Sequence, residues 1–434
     1  MRRLAHWIVE GELWLLLLIV PLLLFPNPLT PLGLVLVLVP WLCRWEVRGH
    51  LTVRTPADWS IAIILVMSLV GLVVSGDPPT SLTTLCQVVA GVGLFYGVAN
   101  WAWSACPEPR RRGRRVWQAA FLLLALGLAL ALIAPLGIRW SGTRKLFSAP
   151  WVYDPIPSPL LPYETVNRNV LAGALALFVP VGVAMLLFTP LSFLSRGQAR
   201  LARAGLFAAT LAMLAVIILT QSRGVYLALA LGLLVMTLLH RPELLWGTPL
   251  LLVGAGAAVR RFGVYPILDA MLMTDSLDSL EARQQIWSTA MGLIRHFPLT
   301  GIGLGTFDHT LSSVYPFSAL YGPRADVNHA HNLFLQVGMD LGLPGLCAFV
   351  ALLVISLRAA WRVWRFGGER NRKDTSALGL GLFTSLIVMT LHGLVDAVTW
   401  GTKPAVIPWL VMGLSVAAYH LVTSDQQSAI SSQA

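Results

Sequence analysis

Apolar residues run along this chain in long blocks, not in the alternating or one-faced patterns of a soluble core. Twelve blocks stand near residues 11–26, 29–43, 57–75, 81–104, 116–138, 169–190, 204–220, 225–239, 244–259, 331–357, 376–398 and 404–423. Blocks of this kind predict membrane-spanning helices, because every backbone polar group must be satisfied within the segment once water is gone. The first two are short for a hydrocarbon core of about 30 Å. Pro26 and Pro28 predict a turn between them. Arg2, Arg3 and the apolar run Leu13 to Phe25 resemble a signal peptide, but Pro26-Asn27-Pro28 follows without a small-residue cleavage site, so a retained first helix is expected. The expected fold is therefore an all-α polytopic membrane protein of about twelve helices.

Between the blocks, one outer stretch from Arg139 to about Val166 and another from Arg260 to about Ala330 are long and polar. The second predicts an amphipathic helix over 281–297, with Ile286, Ala290, Leu293 and Phe297 on one face. Pro298 and the glycines of Gly301-Ile302-Gly303-Leu304-Gly305 end it in a turn, with no Gly-Lys-Ser/Thr to make a phosphate loop. The resulting division is helices one to nine over 1–259, an outer loop over 260–330, helices ten to twelve over 331–423 and a polar tail over 424–434.

Composition supports this reading. Hydrophobic residues make up 56% of the chain and charged residues 12%, against about 25% charged in soluble domains. The net charge of +11 does not indicate nucleic acid, because the arginines sit in short clusters between apolar runs. With the N-terminus placed inside, 20 of the 31 basic residues fall in inner segments, Arg44, Arg48 and Arg54 in the first inner loop among them, which predicts cytoplasmic termini. Cys43, Cys86, Cys106 and Cys347 show no metal or disulfide spacing.

Several polar residues collect on the outer side. Arg223 lies in Thr220-Gln221-Ser222-Arg223-Gly224 between two apolar runs, where it either snorkels to headgroups or faces a cavity. Arg283 precedes Trp287 by one turn of the loop helix, and Arg168 lies in Asn167-Arg168-Asn169. Each alone reads as a surface or interfacial arginine. His331 stands in Asn328-His329-Ala330-His331-Asn332 at the start of block ten, where a helix N-terminus disfavours imidazolium and leaves a neutral ring able to take a proton. An interfacial histidine bonded to a headgroup is the plain alternative. His-x-His can also bind metal, but no third ligand stands nearby in sequence. His392 and Asp396, four apart, are expected on one face of helix eleven. The middles of the spans hold almost no ionisable residues, which disfavours a proton or ion path. Arginine forks suit phosphate oxygens, so the set points to an anionic, lipid-borne substrate.

At these residues the sequence resembles the O-antigen ligase and polymerase superfamily. The elements are Asn167-Arg168-Asn169, Ser222-Arg223-Gly224, Arg283-x-x-x-Trp287, Gly301-x-Gly-x-Gly-x-Phe307, His329-Ala330-His331-Asn332 with Gly342-x-Pro-Gly345, and His392-Gly393-x-x-Asp396. They run from about residue 167 to 396, a little over half the chain. The resemblance implies a metal-independent, inverting glycosyltransferase without a cofactor, in the bacterial inner membrane with its active site periplasmic. Its donor would be an undecaprenyl-diphosphate-linked glycan. Its acceptor would be the lipid A core, another lipid-linked glycan in polymerases, or a protein side chain in some members. Arg223 and Arg283 would hold the diphosphate and stabilise its leaving charge. His331 would activate the acceptor hydroxyl. Arg168, Asn167, Asn169, Asn332, His329 and Asp396 would contact substrate or orient those that do. Membrane lipids would surround it and a monomer would suffice. The competing readings are an anion transporter, since cyanobacterial relatives with similar stretches have been labelled bicarbonate transporters, and a non-catalytic scaffold.

Overall fold

The computed structural model describes residues 2–24, 30–104, 109–138, 140, 167–191, 194–263, 280–313, 329–367, 373–402 and 405–431. The expected outer segment from Arg139 to Val166 lies, apart from Trp140, outside these residues. Among the described residues the structure is helical, with no strand. The helices are α1 Arg2–Glu10, α2 Glu12–Leu24, α3 Thr30–Arg48, α4 Asp58–Val73, α5 Pro78–Ser104, α6 Pro109–Ile133, α7 Arg168–Ala176, α8 Val179–Phe188, α9 Arg196–Thr220, α10 Arg223–His240, α11 Thr248–Phe262, α12 Leu280–His296, α13 Phe307–Ser313, α14 Leu333–Phe366, α15 Lys373–Gly393 and α16 Val406–Ser431.

Eight stretches are long and apolar enough to cross a membrane: Pro78–Ala102, Gly113–Gly137, Arg168–Phe188, Arg196–Thr220, Arg223–His240, Leu333–Phe366, Asp374–Gly393 and Val406–Thr423. Asp58–Val73 is a shorter apolar helix. The chain is thus an all-α polytopic membrane protein. Every one of the twelve expected blocks has a helix, but α2 has 13 residues and α11 has 15. At 1.5 Å per residue these reach only roughly 20 Å; α4, with 16 residues, is short as well, and α3, with 19, carries Arg44, Glu46 and Arg48, so eight stretches qualify and not twelve. Large apolar side chains such as Leu18, Trp59, Val73 and Leu201 point outward, as a surface facing lipid requires.

The main core is one continuous cluster built from α2 to α10 and α14 to α16, with α5 packed along α16 and α14 between α4 and α15. A second cluster joins Ile286, Ala290 and Leu293 of α12 to Ile302, Phe307, Leu311, Ala330 and Met339. The amphipathic helix is therefore borne out, except that Phe297, expected on its buried face, lies beyond the end of α12 and half exposed.

The helix α14 breaks, and the break matters for the site. Gly342 within α14 has φ 67° and ψ −179°, followed by Pro344. The break frees the Met339 carbonyl and the Leu343 N–H, and such groups need partners when buried. The glycine turn supplies them: Ile302 N–H donates to Met339 O at 2.7 Å, and Leu343 N–H donates to Pro298 O at 2.7 Å. A Cβ at Gly301 would stand 2.2 Å from Met339 O, so only glycine permits this approach. The expected turn at 301–305 is thus also a wedge seated in the broken helix.

A buried ion pair fixes the other end of α2 and α3. Arg44 is expected in an inner loop, but it lies inside α3, fully buried, and its guanidinium bonds the equally buried Glu12 carboxylate and the Leu51 carbonyl at 2.8 Å. Removing one partner strands the other charge. Glu12→Ala is expected to cost about 3–5 kcal/mol, while replacing both with apolar residues of similar volume costs far less. Thermal unfolding in detergent checks the ordering, and equal losses in the single and double variants would refute it.

Candidate active site

Asn332 begins α14. Its side-chain oxygen accepts from Phe334 N–H at 3.0 Å and Leu335 N–H at 3.1 Å, the capping role that asparagine fills well. Its amide nitrogen reaches across to donate to Leu394 O at 3.0 Å. Just before this cap, His331 is held at φ 47°, in the left-handed region that a side chain with Cβ rarely adopts. Its neighbours impose the conformation. Ala330 N–H donates to Gln336 Oε1 at 2.9 Å, and Trp287 Nε1 of α12 approaches His331 O at 3.4 Å. A backbone held this way costs about 1–3 kcal/mol, and such strain clusters at functional sites.

The facing wall is the turn after α15. The sequence places His392 and Asp396 on one helix face, but α15 ends at Gly393 and Asp396 lies beyond it. Its carboxylate turns instead to the other histidine motif. Asp396 Oδ1 lies 2.9 Å from His329 Nε2 and 3.6 Å from His331 Nδ1. The first is a hydrogen bond and the second a purely electrostatic contact. The two imidazole rings lie 4.3 Å apart, tilted by 42°. Arg283 of α12 is buried, and its guanidinium donates to the carbonyl of Val395, one residue before the aspartate.

The electrostatics separate acid from base. Burial would raise the Asp396 carboxyl, but the hydrogen bond from His329 and the nearby His331 ring hold it well below the usual carboxylate range. Burial pushes His331 down from the ordinary imidazole value; Asp396 opposes this, and the charges of His329 and Arg283 add to it. At neutral pH His331 is therefore a neutral ring beside an ionised carboxylate, able to accept a proton.

The remaining candidates are less central. Asn167 spends its side-chain oxygen capping α7, accepting from Asn169 and Val170 N–H. Arg168 opens the same helix, half buried, and Asn169 follows it. Further along α7, Gly173 packs on His392 and Val398. Arg223 is the first residue of α10, whose Gly224 lies against Val395 and His392. Glycines on α7 and α10 thus let both helices close on the turn that carries Asp396. The structure brings His329, His331 and Asp396 together and ties Arg283 and Asn332 to the same turn through the Val395 and Leu394 carbonyls, with Arg223 and Arg168 on helices at its edge.

Tertiary structure also supplies what the sequence lacked beside His329 and His331, a third ligand. Each of His329, His331 and Asp396 offers one ligand atom, and these lie within 4.8 Å of one another, a set able to hold a divalent ion. Gln336, Asp340 and Trp400 stand behind the site and were missed. The available signal was Gln-x-x-x-Asp at helical spacing inside an apolar block.

Residues 208–350 match the family model described as O-Antigen ligase. Arg223, Arg283, His329, His331 and Asn332 fall within that stretch, and Arg168 and Asp396 outside it. No curated protein matches the chain. This is therefore a multi-pass membrane protein whose residues 208–350 match the O-antigen ligase family, and the superfamily resemblance read from the sequence is borne out there.

Proposed function

We propose that this protein is a membrane glycosyltransferase that moves a glycan from undecaprenyl diphosphate to an acceptor hydroxyl, the lipid A core in the first instance. A polymerase of the same superfamily is the second choice, since the same chemistry serves either acceptor. The reaction would take place at the periplasmic face of the bacterial inner membrane, with both termini cytoplasmic. Residues 260–330 would form an outer loop that receives the acceptor, between bundles 1–259 and 331–423, with 424–434 as a cytoplasmic tail.

The observation that carries this reading is the Asp396 carboxylate facing two histidines, with the Arg283 guanidinium bonded to the same turn. His331 accepts the acceptor hydroxyl proton as the oxygen attacks the anomeric carbon. The bond from that carbon to the phosphate oxygen breaks, and its electron pair leaves on the diphosphate. Arg283 and Arg223 stabilise this charge, and Asp396 stabilises the imidazolium that forms. Direct displacement inverts the anomeric centre. His329, His331 and Asp396 could hold a divalent ion, but the guanidinium beside them opposes a second cation, so transfer is read as metal-independent.

Purified protein in detergent, given a polyprenyl-diphosphate-linked glycan and a lipid A core acceptor, tests the proposal. The expected result is transfer that persists in chelator. Loss in chelator with recovery on adding a divalent ion would overturn the metal-free mechanism. Absence of transfer to glycan and lipid acceptors alike, with anion uptake in proteoliposomes, would overturn the enzyme.

A further inference from the structure

Behind the site, α14 carries a fully buried carboxylate. Asp340 Oδ1 accepts from Gln336 Nε2 at 3.0 Å, and Oδ2 accepts from Trp400 Nε1 at 2.9 Å. The Gly305 backbone N–H also bonds it. Gln336, itself buried, passes the connection on, because its Oε1 accepts from Ala330 N–H at 2.9 Å. Ala330 lies between the two histidines, and Trp400 lies four residues past Asp396 in the same turn region. One carboxylate therefore reaches both sides of the His329–Asp396 pair. It reaches the histidine segment through Gln336 and the aspartate turn through Trp400.

Packing alone does not call for these groups. They lie beside Val337 and Leu341 of the main core and Met339 of the loop cluster. An amide and a carboxylate in such surroundings cost desolvation that apolar side chains would not. What polar groups add is direction, because each hydrogen bond fixes an atom at a set distance and angle. The left-handed backbone at His331 needs such a restraint, since nothing in its own preference holds it there.

We infer that Asp340 and Gln336 are positioning residues that set the His329-Ala330-His331 backbone against the Asp396 turn. The inference rests on the proposed glycan transfer for its activity readout, and on backbone hydrogen exchange independently of it. Gln336→Leu keeps bulk and removes the Ala330 bond. It is expected to lower kcat about 10- to 100-fold, the effect of a misplaced catalytic group, with donor KM unchanged, and to speed amide exchange in the peptide containing Ala330. Asp340→Asn is expected to do the same. The paired exchange Gln336→Glu with Asp340→Asn reverses the relay. The new amide donates to the new carboxylate and accepts from Trp400, and the carboxylate accepts from Ala330 N–H. It is expected to restore both exchange protection and kcat towards wild type, which mere loss of packing would not do. Wild-type kcat and exchange in Gln336→Leu would overturn the inference, as would a folded paired variant no better than either single one. If the wild-type protein transfers no glycan, the proposed function fails, and unchanged exchange in Gln336→Leu still decides the relay.

Discussion

His331→Ala is expected to lower kcat for glycan transfer about 10²- to 10⁴-fold, the usual contribution of a positioned general base, while donor KM changes little. The ring is held in a strained backbone by Trp287 and by the bond from Ala330 to Gln336. Removing it takes away the proton acceptor, while alanine keeps a Cβ and so the same backbone strain; thermal unfolding must accompany the rate. The pH profile carries the sign. The base acts when neutral, and burial lowers His331 below the ordinary imidazole value. The acidic limb of kcat/KM should therefore fall below about pH 6.5, the unperturbed value, with activity rising as pH rises through it. A limb well above that value, or a wild-type rate in His331→Ala, would remove His331 from the role. His329 is the competing base, since it holds the shorter contact to Asp396 at 2.9 Å. If His329→Ala abolishes transfer and His331→Ala does not, the roles of the two rings exchange.

Arg283→Ala is expected to lower kcat about 10²- to 10³-fold, the effect of losing one preorganised group that stabilises developing charge. Arg283→Lys is expected to recover little of it. A lysine keeps the charge but loses the planar fork that matches phosphate oxygens. The guanidinium also donates to Val395 O, so thermal unfolding must accompany the rates. A folded Arg283→Lys at wild-type rate would show that charge alone suffices and that the fork is irrelevant. If the loss follows melting temperature across both variants, Arg283 serves the fold and not the diphosphate.

The sequence by itself determined the solvent of this protein. Long apolar blocks and sparse charge allow only helices that satisfy their own backbone groups in lipid, and all twelve blocks are helical. It also determined the loop helix, because Ile286, Ala290 and Leu293 recur at helical spacing and fill one buried cluster. The residue types of the site were equally legible: Arg283, His329, His331 and Asp396 stood out as ionisable groups gathered on the outer side of the membrane. What pairs with what was decided only by tertiary structure. Helical periodicity joined Asp396 to His392, four residues away, yet α15 stops at Gly393 and frees the carboxylate to meet His329, 67 residues distant. Periodicity describes neighbours on one helix, and a helix end removes its premise. Arg44 and Asp340 show the same limit. Charge patterning counted Arg44 as a loop residue and passed over Asp340, because neither Glu12 nor Trp400 is near its partner in the chain. Burial of a charge depends on a partner being brought to it, and that belongs to packing. The glycines at 301–305 were read as a turn from their freedom of φ. That they wedge into the break at Gly342 follows from the absent Cβ at Gly301, which lets two backbones meet.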